Sequence, residues 1–120
     1  MHELGIANSI LEAVRSELTR YPGERPTKVG VRIGELSAVD EETLRFCFEA
    51  ITHDTDLHEL QLEIEQCPHR QRCSGCGCEF LVRDYDHRCP RCAVTEGQCI
   101  GGEELDLAYL EVEHHEPASA

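Results

Sequence analysis

Nothing in the first 25 residues places an apolar run behind a basic start, and nowhere do apolar residues approach the roughly 18 in succession that span a bilayer. The expectation is a soluble, unprocessed, cytoplasmic protein with no membrane partner. Positive charge is scarce too: 11 Lys and Arg stand against 24 Asp and Glu, a formal net charge of −13. Such a surface repels phosphate backbones, so nucleic acid is not an expected partner. It serves solubility, or it attracts cations and basic partners. Catalytic equipment is missing as well, because no nucleophile stands beside an obvious base, and an enzyme is not expected. At 120 residues the chain has room for one ordinary domain, or for one small domain with a metal-held appendage.

Cysteine, by contrast, is abundant. Eight cysteines in a chain without an export signal point, in a reducing cytosol, to metal before disulfides.

Regular structure is legible outside the cysteine-rich stretch. Ile6, Ile10, Val14 and Leu18 recur at helical spacing, with Leu4 and Leu11 widening the stripe, and predict a helix over 4–20 that Tyr21-Pro22-Gly23 ends. Val29, Val31 and Ile33 alternate as one face of a strand closed by Gly34. Asp40 is placed to cap a second helix, with Glu41 and Glu42 at its positive end and Leu44, Cys47, Phe48 and Ile51 on its apolar face. Leu60, Leu62 and Ile64 alternate with polar residues as a second strand, and 105–113 reads as a third, bulged or covered on both faces. The fold class is therefore α+β: two helices on a three-stranded sheet, with a cysteine-rich insert between the second and third strands. The expected domains are 1–66 with 103–114, the insert 67–102, and a loose tail 115–120.

Within the insert, Cys73-Ser74-Gly75-Cys76 and Cys89-Pro90-Arg91-Cys92 are separated by twelve residues. Two residues between thiolates let one turn aim both sulfurs at a single tetrahedral ion, and two such turns close a four-sulfur shell. Cys73, Cys76, Cys89 and Cys92 are thus the expected ligands of a structural zinc in a zinc ribbon. Phe80, Leu81 and Tyr85 are expected to pack over the ion, and without metal the insert should not fold. A redox role needs a lone pair at a helix start, whereas here two pairs face each other. A nucleic-acid ribbon has local support in Arg70, Arg72, Arg83, Arg88 and Arg91 but the wrong net charge. Cys78 competes for a ligand place, though it breaks the paired spacing. Cys47 reads as core, and Cys67 and Cys99 are open between spare thiols, packing residues and accessory ligands.

Met1-His2-Glu3 is a second constellation. A terminal amine, an adjacent backbone nitrogen and the His2 imidazole can form fused chelate rings that suit Ni(II) or Cu(II) more than zinc. The bland alternative is an exposed polar histidine.

Several stretches resemble the HypA/HybF nickel metallochaperones of hydrogenase maturation: Met1-His2-Glu3-Leu4, residues 31–37 (VRIGELS), 44–49 (LRFCFE) and 62–65 (LEIE), the paired cysteine turns, and Gly102–Leu105 leading into Leu110–Glu113. The likeness covers nearly the whole chain in order. It implies a nickel-binding α/β domain carrying a four-cysteine zinc domain. Such a protein hands Ni(II) to the precursor of the hydrogenase large subunit together with a HypB-type GTPase. It also implies His2 as the essential nickel ligand, with the Met1 amine and the backbone nitrogens of His2 and Glu3 completing the set. Zn(II) is then structural and Ni(II) transported. The resemblance assigns no role to His69 or His87, which fall outside the cysteine turns, and His114 and His115 read as a solvated end or a place for stray metal. A monomer or weak homo-oligomer is expected. The rival reading is a zinc-ribbon adaptor that binds protein partners and handles no second metal.

Overall fold

A computed structural model describes residues 3–114. Element order is α1 (Glu3–Leu18), β1 (Glu24–Gly34), a 3-10 turn (Glu35–Ser37), α2 (Glu41–Thr52), β2 (Gln61–Cys67), β3 (Arg70–Cys73), β4 (Glu79–Leu81), β5 (Gly97–Gly101) and β6 (Leu105–His114). Two three-stranded sheets result, ordered β2-β1-β6 and β4-β3-β5. The expected α+β class with an inserted ribbon is what forms. The chain separates into two compact units. The first takes the described residues through Val31, Val39–Glu65 and those from Asp106 onward, and the second takes Arg32–Ala38 and Gln66–Leu105.

In the first unit α1 buries Ile6, Ala7, Ile10 and Val14, and it packs against α2, which buries Leu44, Phe48 and Thr52. Val29 and Val31 of β1, with Leu57 and Leu60, complete this core. Burying one such Leu, Val or Phe contributes about 1.5–3 kcal/mol relative to leaving it in water. The apolar stripe of α1 is narrower than its sequence suggests, since Leu4 is half exposed. Asp40 caps α2 as expected: its carboxylate accepts from the Glu42 N–H at 3.2 Å and the Thr43 hydroxyl at 2.7 Å. Thr52, the buried polar residue of α2, donates its hydroxyl to the Phe48 carbonyl at 2.8 Å, so its burial leaves no orphaned group. Arg45 reaches from α2 to the Leu62 carbonyl of β2 at 2.7 Å.

β1 starts four residues before the expected Lys28 and is the central strand of its sheet. β6 lies at an edge, with Tyr109 39% exposed, so it is not covered on both faces as its two apolar parities suggested. The Tyr109 ring lies over Gly30, and its hydroxyl donates to the Glu63 carboxylate, which also pairs with Lys28 at 3.6 Å. That hydrogen bond first, then burial and the Glu63 charge, push the Tyr109 phenol up to about 12.

In the second unit the chain after β1 is held by the Gly34 N–H donating to the Glu104 carbonyl and the Leu36 N–H to the Gly102 carbonyl, both at 2.7 Å. β3 is flanked by antiparallel β4 and β5, with a register break at Arg70/Gln71. Here burial is sparse: Ile33, Val82, His69, Gln71, Cys73 and Cys89. Few of these are apolar, so cross-linking through a metal must replace much of what a core would supply.

Candidate metal centre

Two chain turns of the second unit build the site in the same way. In the first, the Gly75 N–H donates to the Cys73 sulfur at 3.3 Å and the Gly77 N–H to the Cys73 carbonyl at 3.0 Å. In the second, the Arg91 N–H donates to the Cys89 sulfur at 3.4 Å and the Ala93 N–H to the Cys89 carbonyl at 2.9 Å. The residue closing each turn is left-handed, Gly77 at φ 76 and Ala93 at φ 64. Equivalent bonds therefore aim the two cysteines of each turn to one side, and the first cysteine of each, Cys73 and Cys89, is buried.

The four sulfurs converge. Cys73 Sγ lies 3.4 Å from Cys92 Sγ and Cys76 Sγ lies 3.6 Å from Cys89 Sγ, with all four ligand atoms within 4.8 Å of one another. Zinc–sulfur bonds of about 2.3 Å in a tetrahedron place sulfurs about 3.8 Å apart, so the observed set brackets the required edge. All eight cysteines are free thiols.

Electrostatics agree with the geometry. At Cys89, burial opposes ionisation, but the N–H groups of Cys92 and Arg91 and the thiols of Cys76 and Cys73 outweigh it and bring the thiol down to about 6. At Cys73 the N–H of Cys76 leads a shift in the same direction. Cys92 moves the other way, to about 12: the N–H of Val94 favours its thiolate, yet hydrogen bonding with Cys73, burial, and the Cys76 and Cys89 thiols prevail. Thiols this close cannot all ionise unless a cation sits among them. The donor set fits Zn(II) with a closed shell, which leaves no coordination position for water or substrate.

The cysteines left open by the sequence lie elsewhere. Cys78 is half-buried and donates to the Glu79 carbonyl at 3.6 Å; burial first, then the charges of Cys89 and Cys76, push its thiol up. Cys99 is exposed and donates to the Gly101 carbonyl at 3.3 Å, and Cys47 and Cys67 are half-buried. Phe80 is half-buried, but Leu81 is 43% and Tyr85 89% exposed, so those two do not cover the sulfurs as expected. The reason is a tight turn between Arg83 and Asp86 in which Asp84 and Tyr85 both take positive φ and Tyr85 stands at the tip. Val82, absent from the expected cover, is buried instead.

At the other predicted site, Met1 and His2 lie outside the described residues. Glu3 opens α1, and its carboxylate accepts the Asp40 N–H at 3.0 Å. That bond, first among several influences, holds the carboxyl below its ordinary value.

Comparison with known proteins extends beyond this geometry. A family model described as hydrogenase/urease nickel incorporation, metallochaperone, hypA matches residues 1–112. The chain is 42% identical over 113 residues to a hydrogenase maturation factor HypA of Geobacter metallireducens, spanning 94% of this chain and all of that one. Its counterpart in Desulfatibacillum aliphaticivorans is 38% identical over 93% of this chain and 87% of its own length. Among solved structures, a HypA solution structure superposes with a TM-score of 0.72 at 23% identity, covering 96% of this chain and 98% of the other. The nickel metallochaperone HypA from Helicobacter pylori gives 0.66 at 23% identity, covering 96% and 100%. At such identity the superpositions speak for a shared fold.

Proposed function

The chain belongs to the HypA family, and from that premise we propose that it is a cytoplasmic nickel carrier. It binds Ni(II) at its amino terminus and passes the ion to the hydrogenase large-subunit precursor, together with a HypB-type GTPase. The single observation that carries this reading is the family match over residues 1–112, which includes the Met1-His2-Glu3 start.

On this reading the two metals have separate tasks. Zn(II), held by Cys73, Cys76, Cys89 and Cys92, organises the second unit and takes no part in exchange, because a complete sulfur shell has no open edge. Ni(II) is cargo. The Met1 amine, the His2 imidazole and the backbone nitrogens of His2 and Glu3 offer a nitrogen-rich set, and planar Ni(II) gains ligand-field stabilisation from it. A carrier must also release its ion, and ligands at a chain end can be withdrawn one at a time. No helix of the described residues is long and apolar enough to cross a membrane, which accords with work in the cytoplasm.

Titrating nickel into the zinc-loaded protein tests the proposal. The parent is expected to take up one Ni(II) with the weak visible absorption of a planar site. His2→Ala should lose it while keeping zinc and fold. A His2→Ala protein that bound nickel as well as the parent would overturn the assignment, and a parent that bound none would leave the adaptor reading in its place.

A further inference from the structure

In the first unit, α2 turns one face to solvent. Glu42, Phe46 and Glu49, with His53 just past the helix end, follow at i, i+4, i+7 and i+11, a single stripe, and all four are exposed, Phe46 by 71%. Beside the stripe a groove of about 420 Å³ runs between α2 and the chain entering β2, where Glu49, His53, His58 and Glu59 stand around the buried Phe48 and Leu60. We propose that this face docks a basic, amphipathic segment of the protein that receives nickel, an inference that rests on the carrier reading.

Charge complementarity selects that occupant. Among the described residues the first unit carries 5 basic and 16 acidic side chains, a net −11, and the second carries 6 and 7, a net −1. The acidic excess of the chain therefore lies on the first unit. Two nearby carboxylates are already taken, Glu41 by Arg45 and Glu59 by Arg25, both at 3.3 Å. Among the described residues neither the Glu42 nor the Glu49 carboxylate has a hydrogen bond or an ion pair. A second copy of this chain would bring the same charges to the face and be repelled, as would a phosphate backbone.

An arginine or lysine from the partner fits the groove by its two ends. The aliphatic stem rests on Phe48 and Leu60, and the cation meets Glu49 at the rim. Phe46, on the outward side, offers its ring to an apolar side chain of the same segment or to a guanidinium plane. Position supplies the link to nickel. Glu42, where the stripe begins, lies two residues beyond Asp40, whose N–H is bonded to Glu3 at 3.0 Å. At about 1.5 Å of rise per residue, Phe46 is about 9 Å along the axis from Asp40. A partner seated on the stripe thus stands beside the start of α1, next to the proposed nickel ligands, where the ion can change hands one ligand at a time.

The test measures the affinity of the full chain, loaded with zinc and nickel, for the hydrogenase large-subunit precursor of the same organism. Phe46→Ser and Glu49→Gln are each expected to weaken it at least about tenfold, the scale of a central interface residue. Binding should also weaken as salt is raised. Tyr85→Ser, which alters the 89% exposed ring of the second unit, should bind as the parent does. Nickel uptake is titrated separately on every variant and should match the parent, since none of them touches the amino-terminal nitrogens. That titration reports on the carrier reading, and precursor affinity reports on the docking face, so either can fail alone. The docking face is overturned if Phe46→Ser or Glu49→Gln binds the precursor as tightly as the parent, or if Tyr85→Ser weakens binding as much. It is equally overturned if the parent binds no precursor, or if the α2 substitutions weaken binding of the HypB-type GTPase alone.

Discussion

The carboxylate of Glu3 accepts the backbone N–H of Asp40, tying the first turn of α1 to the residue that caps α2. One acidic side chain thus closes a loop of 37 residues next to the segment proposed to bind nickel. Glu3→Ala is expected to accelerate hydrogen exchange at the Asp40 amide with little effect on global unfolding. The pH dependence follows from the lowered Glu3 pKa. The bond to the charged carboxylate is fully present above the ordinary value of 4.5 and is lost as pH falls through the lower folded value. Asp40 exchange, corrected for the intrinsic rate, should therefore show protection at pH 5 that fades in stronger acid. Protection unchanged in Glu3→Ala would remove the tie.

Phe46 and Phe48 are two residues apart on α2 and opposite in environment, 71% and 2% exposed. Phe48→Ala leaves a hole in the first unit's core and is expected to cost about 3–5 kcal/mol. Phe46→Ala should stay within about 0.5 kcal/mol. Denaturant unfolding of the zinc-loaded protein checks both, and comparable losses would contradict the burial pattern.

What was legible in the sequence follows from how local each signal is. Helical spacing of Ile6, Ile10 and Val14, alternation of Val29 and Val31, and two Cys-x-x-Cys turns are all read within one element, and the structure forms those elements. The bonds from Asp40 to Glu3 and from His69 to Glu35 join residues 37 and 34 apart, and nothing in either local pattern announces them. Burial in the second unit was also hidden. His69 and Gln71 lie inside while Leu81 and Tyr85 lie outside, because a metal-held fold with little apolar material places side chains by turn geometry more than by hydropathy.

The two cysteine turns share a geometry but not a closing residue. Gly77→Ala places a Cβ at φ 76 and should weaken the second unit by about 1–2 kcal/mol. Ala93→Gly removes a left-handed Cβ at φ 64 and should be neutral or stabilising by up to about 1 kcal/mol, since the added freedom of the unfolded glycine offsets part of the relief. Zinc-release rates under a competing chelator report both, faster for the first and unchanged or slower for the second. Equal acceleration by both substitutions would mean that the turns are not equivalent.

Acetylating the Met1 amine, or adding residues ahead of it, should prevent nickel loading while leaving the four-cysteine site and the fold untouched. The two nitrogens that define the proposed site also set its pH range. A terminal amine and an imidazole ordinarily hold their protons below roughly pH 8 and 6.5, and each proton must leave before nickel binds. Affinity should therefore fall as pH drops from roughly 8 to 6, where protons win both positions. Calorimetry at pH 7.5 and pH 6 measures the change in the uncapped protein, and equal affinities would show that groups other than the amine and His2 hold the ion. The capped protein supplies the other half of the argument, because its residual nickel binding belongs to sites elsewhere in the chain.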